Sequence, residues 1–457
     1  MAEVRVRGEQ PHVELRPFRG IMYNPAYLGD VFAVLSPPYD VISHEEREMY
    51  YQRHRHNVVR LIYGRGEAGD TPQNNPYTRA AHYLRTWLRD GVLRREAQPA
   101  MYLCAEEHRK PDGTTAERQG LIALCRLEPY ERGIILPHEA TSPVPKRMLF
   151  DLRSAVEANL SQIFALYDDN TGKLREMFAT QRQRPADLRF CDSDEMLHQV
   201  WRIVEPSKLE EIQRLMTDHW ALVADGHHRY ETCLEYQRQR RQSTPDWTGE
   251  EWFNFAMLYL TDIHDPGLTI LPTHRLLRGL PEPLVAQLPE SLSQACQVEA
   301  LPFQRQADRR GQLRQLMREM QERGESGHVI GLYTGGDTFW RLAYGGSSRG
   351  LERGDTDPTD VHTLDVSLLH ETLLEKILGL HIPEEGILYT QDEMTAVDLV
   401  ARQEYQVAFL LNPTKVGQVM QYAMTGRRMP RKSTYFFPKL LTGIVMHKEV
   451  GDADQFG

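Results

Sequence analysis

The sequence predicts an α/β protein built from two parts. Short apolar stretches alternate with helical patterns along most of the chain, an alternation typical of sheets covered by helices. At 457 residues the chain is also longer than one hydrophobic core usually supports. A polar break falls at Asp265-Pro266-Gly267. We therefore predict an N-terminal region over residues 1–265 and a C-terminal α/β region over 266–457.

The predicted elements of the N-terminal region follow from apolar runs, helical periodicity and turn residues. Two prolines after Leu35 end the first strand, because proline cannot continue a ladder of hydrogen bonds. In chain order we predict a strand at Val31–Leu35, a helix over Tyr77–Leu88 stopping near Gly91, strands at Ala100–Cys104 and Gly120–Arg126 with a turn at Pro111–Gly113, a helix over Phe150–Gln162, a strand at Val200–Val204, a helix over Lys208–Thr217 capped by Ser207, a strand at Trp220–Ala224 and a helix over Tyr230–Arg241.

The C-terminal region repeats the alternation of strands and helices. A charge-dense segment near its start, Arg305–Arg323, has Leu313 and Met317 on one face and is interpreted as a solvated helix. The other predicted elements are strands at His328–Tyr333 and Phe339–Tyr344, a helix over Leu364–Leu378, a strand at Tyr405–Leu411 and a helix over Val416–Met424.

Composition excludes several classes of protein. The net charge of −10 argues against broad nucleic-acid binding, which requires a surface that neutralises phosphates. No apolar stretch approaches the roughly 18 residues of a membrane span, and the first residues lack the apolar core of a secretory signal. The five cysteines are scattered without a C-x-x-C pair, so neither a disulfide framework nor a zinc site is indicated. We expect a cytoplasmic protein without membrane partners.

The densest functional signal follows the strand predicted at Trp220–Ala224. There Asp225-Gly226-His227-His228-Arg229 leads directly into a helix, which would gather backbone N–H groups and the positive end of the helix dipole. Glycine lets a phosphate approach closely, arginine offers a planar fork of donors, and the histidines titrate near neutral pH. The pattern predicts a phosphate-binding turn. The alternative is a helix capped by the aspartate beside structural histidines and a salt-bridged arginine.

Asp225 is unexpected beside an anion, because like charges repel. Its carboxylate fits if it binds a metal ion such as Mg²⁺, orients a histidine or takes a proton from a hydroxyl.

Several segments in order along the chain resemble a widespread bacterial and archaeal family catalogued as a domain of unknown function. The segments are Ser-Pro-Pro-Tyr-Asp-Val-Ile at 36–42, His-Asn-Val-Val-Arg-Leu at 56–61, Pro-His-Glu-Ala-Thr at 137–141, Ala-Asp-Gly-His-His-Arg-Tyr-Glu-Thr at 224–232, Leu-Pro-Thr-His-Arg at 271–275 and Met-Pro-Arg-Lys-Ser-Thr-Tyr-Phe-Phe-Pro-Lys at 429–439.

The Asp-Gly-His-His-Arg turn also resembles the ParB/sulfiredoxin-like group, especially its free-serine kinases. This resemblance covers about residues 134–241 and implies a ParB/sulfiredoxin-like core there, with an N-terminal elaboration. It further implies that Gly226, His227, His228 and Arg229 cradle nucleotide phosphates and that Asp225 lies beside the hydroxyl that accepts the phosphoryl group.

The same kinases use an upstream glutamate as base, and Glu139 is the candidate here. It follows the apolar Ile134-Ile135-Leu136 on a proline turn, from which a carboxylate can be aimed at a substrate proton. Neighbouring His138 is a candidate substrate contact, and Thr141 a candidate phosphate contact. A long insertion separates Glu139 from Asp225, and an ordinary turn with a surface glutamate remains the alternative.

Four further segments carry weaker candidates. Tyr39 and Asp40 lie on a rigid turn that is either part of a pocket or purely structural. Arg60 is suited to clamping a substrate carboxylate, with a structural salt bridge as the alternative. A strand end also favours ligand contacts from His274 and Arg275. Lys432 lies in a basic and aromatic run that either closes over a nucleotide or forms an amphipathic strand.

Together these patterns predict a phosphotransferase. ATP or ADP with Mg²⁺ would donate a phosphoryl group to a small hydroxylated metabolite, with free L-serine as the leading acceptor. Such transfer consists mostly of positioning and charge neutralisation. The alternatives are a nucleotide-binding sensor without catalysis, and a nucleotide or phosphoester hydrolase in which His227 or His228 activates water. The sequence leaves open the acceptor, the choice among ATP, ADP and pyrophosphate, and the oligomeric state.

Overall fold

The computed structural model describes residues 12–110, 113–304, 306–344, 364–383 and 386–448. The chain divides into two compact units. The first comprises Met1–Pro137, Thr141–Thr269 and Pro438–Gly457, and the second comprises His138–Ala140 and Ile270–Phe437. Each unit combines helices with a sheet, so the predicted α/β class is confirmed. No helix in the described part of the chain has the length and apolarity needed to span a membrane.

The first unit contains most of the regular elements. Its strands are β1 (Leu15–Arg16), β2 (Ile21–Tyr23), β3 (Leu93–Arg95), β4 (Met101–Arg109), β5 (Thr115–Arg126), β6 (Ile135–Pro137), β7 (Ala158–Asn159), β8 (Ile163–Tyr167), β9 (Leu188–Cys191), β10 (Leu197–Ile203), β11 (Ala221–Asp225) and β12 (Phe255–Asp262). Its helices are α1 (Pro25–Leu28), α2 (His44–Arg53), α3 (Val59–Ile62), α4 (Pro76–Arg89), α5 (Pro143–Val156), α6 (Lys173–Gln181), α7 (Pro206–Met216) and α8 (His227–Ser243).

A nine-stranded mixed sheet forms the centre of the first unit. Its strand order is β6-β11-β8-β12-β5-β4-β10-β9, and β1 also pairs with β5. Strand β11 runs parallel to β6 and antiparallel to β8, with Leu222 opposite Leu166 and Asp225 opposite Phe164. The register shifts between Val223 and Asp225. Such a bulge bends a strand and re-aims its side chains, here at the point where Asp225 ends the strand.

Helices α6, α7 and α8 pack on this sheet through apolar side chains. Phe178, Ile212 and Tyr230 are buried in one cluster with sheet residues such as Trp201 and Leu258. Strand β11 contributes Ala221 and Val223 to the same cluster. The strand and helix on either side of the Asp-Gly turn are therefore both fixed in the core.

Three predictions about local structure were wrong. The apolar Val31–Leu35 forms a 3₁₀ turn over Phe32–Val34. The side-chain amide of Asn57 bonds the carbonyls of Ala33 and Leu35, which pair with no strand among the residues that the structure describes. Helix α7 begins at Pro206 with Glu205 as its N-cap, since proline favours the first helical position, so Ser207 does not cap it. Helix α5 ends at Val156, where Glu157 takes a left-handed conformation, and does not reach Gln162.

The bounds of the other N-terminal elements were predicted to within five residues, including the helix over 76–89 and the strands at 101–109 and 197–203. The turn predicted at Pro111–Gly113 falls mostly outside the described residues, which omit 111 and 112.

The second unit is built on a six-stranded antiparallel sheet. The strands of this part of the chain are β13 (Thr269–Leu271), β14 (His274–Leu277), β15 (Cys296–Pro302), β16 (His328–Tyr333), β17 (Thr338–Tyr344), β18 (Ile387–Thr390), β19 (Val407–Leu410) and β20 (Tyr435–Phe437), of which β14 to β19 form the six-stranded sheet. Its helices are α9 (Glu282–Leu292), α10 (Gln306–Arg323), α11 (Asp365–Ser367), which continues as a π-helix over Leu368–Ile377, α12 (Glu393–Ala401) and α13 (Val416–Met424).

The strand order of that sheet is β15-β17-β16-β19-β14-β18, while β13 pairs with β20. Two separate clusters of buried apolar residues cover it, one including Leu369 and Phe409 and the other including Leu316 and Ala408. The strands and helices predicted here are confirmed, with the helix over 364–378 differing in its π-helical part. The last strand, β21 (His447–Lys448), belongs to the first unit and pairs there with β7.

Candidate functional site

The turn between β11 and α8 depends on Gly226. This residue is the N-cap of α8 and has a φ of +96° and a ψ of 29°, in the left-handed region that favours glycine. A Cβ at this position would lie 2.9 Å from Arg229 Nε and 3.0 Å from its Cζ. The backbone conformation therefore favours glycine, and a Cβ here would displace the guanidinium of Arg229.

Asp225 lies at the end of β11 and holds two cations. Arg229 donates through Nη2 to Asp225 Oδ2 at 2.6 Å, and Lys439 donates through Nζ to the other carboxylate oxygen. Arg229 also donates through Nη1 to the carbonyl oxygen of Gln162 at 2.6 Å. The side chains of Asp225, Arg229 and Lys439 are 16%, 10% and 13% exposed, so their charges interact with little screening by solvent.

These contacts set the ionisation state of Asp225. Burial alone would raise its pKa, but the charges of Lys439 and Arg229 outweigh burial and hold the pKa of Asp225 below its ordinary value. The carboxylate is ionised at neutral pH. Asp225 thus holds two cations, Arg229 and Lys439, beside the positive end of the α8 dipole.

Lys439 reaches this cluster from a distant part of the chain. It lies in the segment 438–442 of the first unit, which is bonded to the rest of that unit at two carbonyls. Arg118 donates through Nη2 to the carbonyl of Pro438 at 2.7 Å, and Gln162 donates through Nε2 to the carbonyl of Leu441 at 3.0 Å. Sequence reasoning missed Lys439. The available signal was its place at the end of the basic, family-resembling segment 429–439.

The two histidines of the turn lie in different surroundings. His227 is buried, at 7% exposed, and its electrostatic interaction with Asp225 contributes to lowering the pKa of that carboxyl group. His228 accepts a hydrogen bond at Nε2 from the backbone N–H of Ser142 at 3.0 Å. Thr141, one of the predicted phosphate contacts, donates through Oγ1 to Glu231 on the next turn of α8 at 2.6 Å. The loop before α5 is therefore bonded to the first turns of α8.

Tyr39 belongs to the same part of the first unit. It lies in a 3₁₀ turn over Tyr39–Val41 and lines a cavity together with Arg229. Burial raises the pKa of Tyr39, Asp40 adds to the rise, and Arg229 opposes it. The structure thus brings Tyr39 and Arg229 together, as expected of two residues in one site. Asp40 is exposed.

Arg60 lies on α3 and stacks on Tyr51. Its guanidinium carbon is 4.2 Å from the centre of the Tyr51 ring, and its Nη2 donates to the Tyr51 carbonyl at 2.8 Å. Within the described ranges no carboxylate forms an ion pair with Arg60. The alternative of a structural salt bridge is therefore not found.

The remaining predicted residues lie in the second unit and meet around Lys432. Glu139 accepts through Oε1 from the backbone N–H of Lys432 at 3.2 Å, and Arg275 donates through Nη2 to the Lys432 carbonyl at 2.7 Å. His138 Nε2 lies 2.9 Å from Thr434 Oγ1. The structure thus brings Glu139 and Arg275 together at the main chain of Lys432, while His138 contacts Thr434 two residues further on.

Burial governs the two candidates on β14. It lowers the pKa of Arg275 to about 10, against the opposing influence of Tyr389 and Glu139. It also lowers the pKa of His274 to about 3, with a further contribution from the charge of Arg275. His274 accepts through Nδ1 from the Leu411 backbone N–H at 3.1 Å, so it is a neutral, structurally bonded histidine.

Metal binding was predicted at Asp225. Each oxygen of that carboxylate already accepts from a cation, so Mg²⁺ would have to replace one of them there. Among the described residues, Asp168, Asp262 and His264 form a second group with ligand atoms within 4.8 Å of one another. His264 Nε2 is 3.0 Å from Asp168 Oδ1, and Arg175 pairs with Asp262, so these groups are already bonded as they stand. Mg²⁺ at Asp225 stays a prediction.

The fold and the turn define an α/β protein with a positively charged strand-to-helix turn. Residues 15–367 match the family described as "Protein of unknown function (DUF1015)", and the chain belongs to this family, as the resemblance of its motifs predicted. No curated protein matches the chain.

Three solved structures show a distant similarity. A conserved hypothetical protein from Pyrococcus furiosus is 14% identical with a TM-score of 0.31, over 66% of this chain and 87% of that one. A free serine kinase in complex with AMP is 12% identical with a TM-score of 0.34, over 69% and 89%. SbnI with a C-terminal truncation, from Staphylococcus aureus, is 9% identical with a TM-score of 0.33, over 70% and 85%. Scores this low assign neither a fold family nor a function to this protein.

Proposed function

We propose that the chain binds the phosphates of a nucleotide at the Gly226–Arg229 turn and transfers a phosphoryl group to a small hydroxylated metabolite. The observation that supports this is the pair of cations, Arg229 and Lys439, that Asp225 holds at the N-terminus of a 17-residue helix. The whole chain is acidic, with a net charge of −10, so the two cations are a local feature and do not reflect a basic chain. Phosphate oxygens match it in charge and geometry.

The residue roles follow from this charge distribution and from the resemblance of the turn to free-serine kinases. Gly226 permits close approach of the phosphates, while Arg229, His228 and Thr141 would bind them, with Lys432 as a further phosphate contact. Arg229 Nε has no hydrogen-bond partner within the described residues, so a donor remains for an oxygen of the ligand. Mg²⁺, when bound, would neutralise part of the nucleotide charge.

In the proposed step, the acceptor's hydroxyl oxygen forms a bond to the terminal phosphorus of ATP or ADP. The bond from that phosphorus to its bridging oxygen breaks, and the shortened nucleotide leaves with the electron pair. The acceptor's proton passes to Glu139 as general base. Free L-serine is the acceptor implied by the motif, with Tyr39, Asp40, Arg60, His138, His274 and Arg275 as candidate contacts to it.

A nucleotide sensor without catalysis is the second candidate. It is favoured by the state of Asp225, whose two oxygens are bonded to Arg229 and Lys439 and whose pKa is lowered. A carboxylate in this state is a poor proton acceptor but a good support for two phosphate-binding cations.

Phosphorus NMR of the protein with Mg²⁺, each donor (ATP, ADP or pyrophosphate) and a panel of hydroxylated acceptors tests the proposal. We expect acceptor-dependent consumption of a nucleotide. Glu139→Gln should retain nucleotide affinity and lower turnover by about 10²–10⁴-fold, the usual contribution of a general base. Glu210→Gln, a change at an exposed position of α7, serves as the control and should leave turnover unchanged.

Nucleotide binding without consumption, for every donor and acceptor, would replace the kinase by the sensor. Absence of any nucleotide binding would remove both.

A further inference from the structure

Lys432 has a backbone conformation that is unusual for its place in the chain. Its φ is +58°, in the left-handed region that costs free energy for any residue with a Cβ. Among the described residues, three other non-glycine residues share a positive φ: Glu157, Glu195 and Gln403. Glu157 and Gln403 follow helices α5 and α12, where a left-handed residue commonly ends the helix. Lys432 has no such reason, because it lies eight residues beyond Met424, the last residue of α13.

Side chains from two distant segments hold both polar groups of the Lys432 main chain. Glu139 Oε1 accepts from its N–H at 3.2 Å, and Arg275 Nη2 donates to its carbonyl oxygen at 2.7 Å. The next residue is held as well, since Thr414 Oγ1 donates to the carbonyl of Ser433 at 2.7 Å. A strained conformation persists only where the surrounding structure determines it, and these bonds do so for Lys432.

The turn presents the lysine side chain to solvent. Met429 and Ser433 on either side are 1% and 4% exposed, whereas Lys432 is exposed. Within the residues that the structure describes, the Lys432 side chain forms no hydrogen bond or ion pair. Glycine would adopt this backbone conformation without strain. The chain has a lysine there instead, so the strain accompanies an ammonium group that leaves the turn in a fixed direction, as strained residues at functional sites do.

Arg275 reaches this turn from the interior of the second unit. It is 0% exposed, and its hydrogen bonds go to the carbonyls of Lys432 and Thr273. A guanidinium without accessible surface does not touch a ligand that leaves the fold unchanged. Any effect of Arg275 on a ligand therefore passes through the residues that it holds, and Lys432 is the exposed one.

We propose that Arg275 is a positioning residue that fixes Lys432 for binding a phosphate group. The Lys432 ammonium contacts the phosphate, and the bonds of its main chain to Arg275 and Glu139 set the direction of its side chain. Arg275 then has an indirect role in place of a contact with the acceptor. The identity of the ligand as a nucleotide rests on the proposed function, whereas the restraint of the Lys432 main chain does not.

Backbone NMR tests the restraint without any ligand. The ¹³Cα and carbonyl chemical shifts of Lys432 report its φ and ψ in protein labelled at lysine. Arg275→Gln should move these shifts towards those of an extended residue, and Arg275→Lys, which keeps a donor, should move them less. Unchanged Lys432 shifts in folded Arg275→Gln would overturn the inference, and Arg275→Lys carries the comparison if Arg275→Gln does not fold.

Variants of the exposed lysine test the contact with phosphate. Lys432→Gly removes the side chain and the strain, so it should raise the midpoint of thermal unfolding and weaken ATP binding about tenfold in calorimetry. The matched control is Gln403→Gly, with a φ of +61° in the same unit, which should raise the midpoint and leave the affinity unchanged. Lys376→Ala removes another exposed lysine of this unit and should also leave the affinity unchanged. Unchanged ATP affinity in Lys432→Gly would overturn the inference.

A double-mutant cycle separates positioning from an independent structural effect. Arg275→Gln should weaken ATP binding about tenfold when Lys432 is present, but by less than about twofold in the Lys432→Ala background. Arg275→Lys should recover part of the affinity. Equal losses in the two backgrounds would show that Arg275 acts on the ligand without Lys432, against the inference.

The outcomes distinguish this inference from the proposed function. Binding of ATP without its consumption, with the same coupling between Arg275 and Lys432, would keep the inference and remove phosphoryl transfer. Acceptor-dependent consumption of ATP with equal losses in both backgrounds would keep the proposed function and overturn the inference. If ATP does not bind, the proposed function is removed and pyrophosphate becomes the probe in the same cycle. Absence of saturable pyrophosphate binding would then overturn the inference too.

Discussion

Replacing Gly226 with alanine tests two features of the turn at once, its left-handed backbone conformation and the close approach of Arg229. The added Cβ would lie 2.9–3.0 Å from the guanidinium atoms of Arg229, which must move. Since a guanidinium is the flexible end of its side chain, the displacement itself costs little stability. The φ of +96° is a separate cost, about 1–2 kcal/mol for a residue with a Cβ. We expect a loss of about 2 kcal/mol in the free energy of unfolding, with Arg229 no longer bonded to Asp225.

The displaced arginine should matter far more for binding than for folding. Loss of one charge-assisted pair to phosphate corresponds to about 2–3 kcal/mol, or roughly 30- to 150-fold in nucleotide affinity. Calorimetric titration with ATP and ADP measures this, and urea unfolding measures the stability.

Gly172→Ala is the matched control for this experiment. Gly172 is also the N-cap of a helix of the first unit, with a φ of +70°, but no atom lies within 4 Å of the Cβ it would gain. It should lose similar stability and no affinity. Unchanged affinity in folded Gly226→Ala would show that Arg229 does not bind the phosphate and that the turn is only a connector.

Two further predictions concern Lys439 and Asp225. Lys439→Met should weaken nucleotide binding by at least about tenfold in calorimetry, because one of two cations is lost. The control Lys173→Met, on the exposed face of α6, should leave the affinity unchanged. Equal affinities of the two variants would exclude Lys439 from the site. Because the pKa of Asp225 is lowered, its ionised form stabilises the fold above its unfolded pKa of about 3.9, and this contribution is lost as the pH falls further. In urea unfolding at pH 7, Asp225→Asn should therefore have a lower free energy of unfolding than the unmodified protein. The difference between the two free energies should shrink below about pH 4. A difference that does not depend on pH would contradict the ion pairs of Asp225.

The parts of the fold that the sequence predicted correctly are those set by local patterns. The apolar run ending at Asp225-Gly226 predicted both β11 and the start of α8, because a buried strand, a glycine break and a helical pattern follow one another within a short stretch. The helix Val416–Met424 and the strand His328–Tyr333 have the predicted bounds for the same reason. Periodicity and turn chemistry are properties of neighbouring residues, so the sequence displays them directly.

The errors arise where a distant residue decides the local structure. The apolar run at 31–35 has the composition of a strand, but its carbonyls bond the side chain of Asn57 and it adopts a 3₁₀ turn. Nothing in the run itself reveals this partner. Lys439 was missed for the same reason, since its relation to Asp225 depends on the hydrogen bonds of Arg118 and Gln162 to the segment that carries it.

This long-range contact also answers the question that the sequence raised about Asp225. A carboxylate beside a phosphate site is unfavourable when considered with its immediate neighbours, and the sequence offered only a metal ion, a histidine or a proton as explanations. The structure provides another, because Asp225 holds Arg229 on one oxygen and Lys439 on the other. Its two oxygens bond the two cations from parts of the chain that are far apart in sequence. We infer that Asp225 is a positioning residue, which places its importance in the orientation of the cations and not in its own proton chemistry.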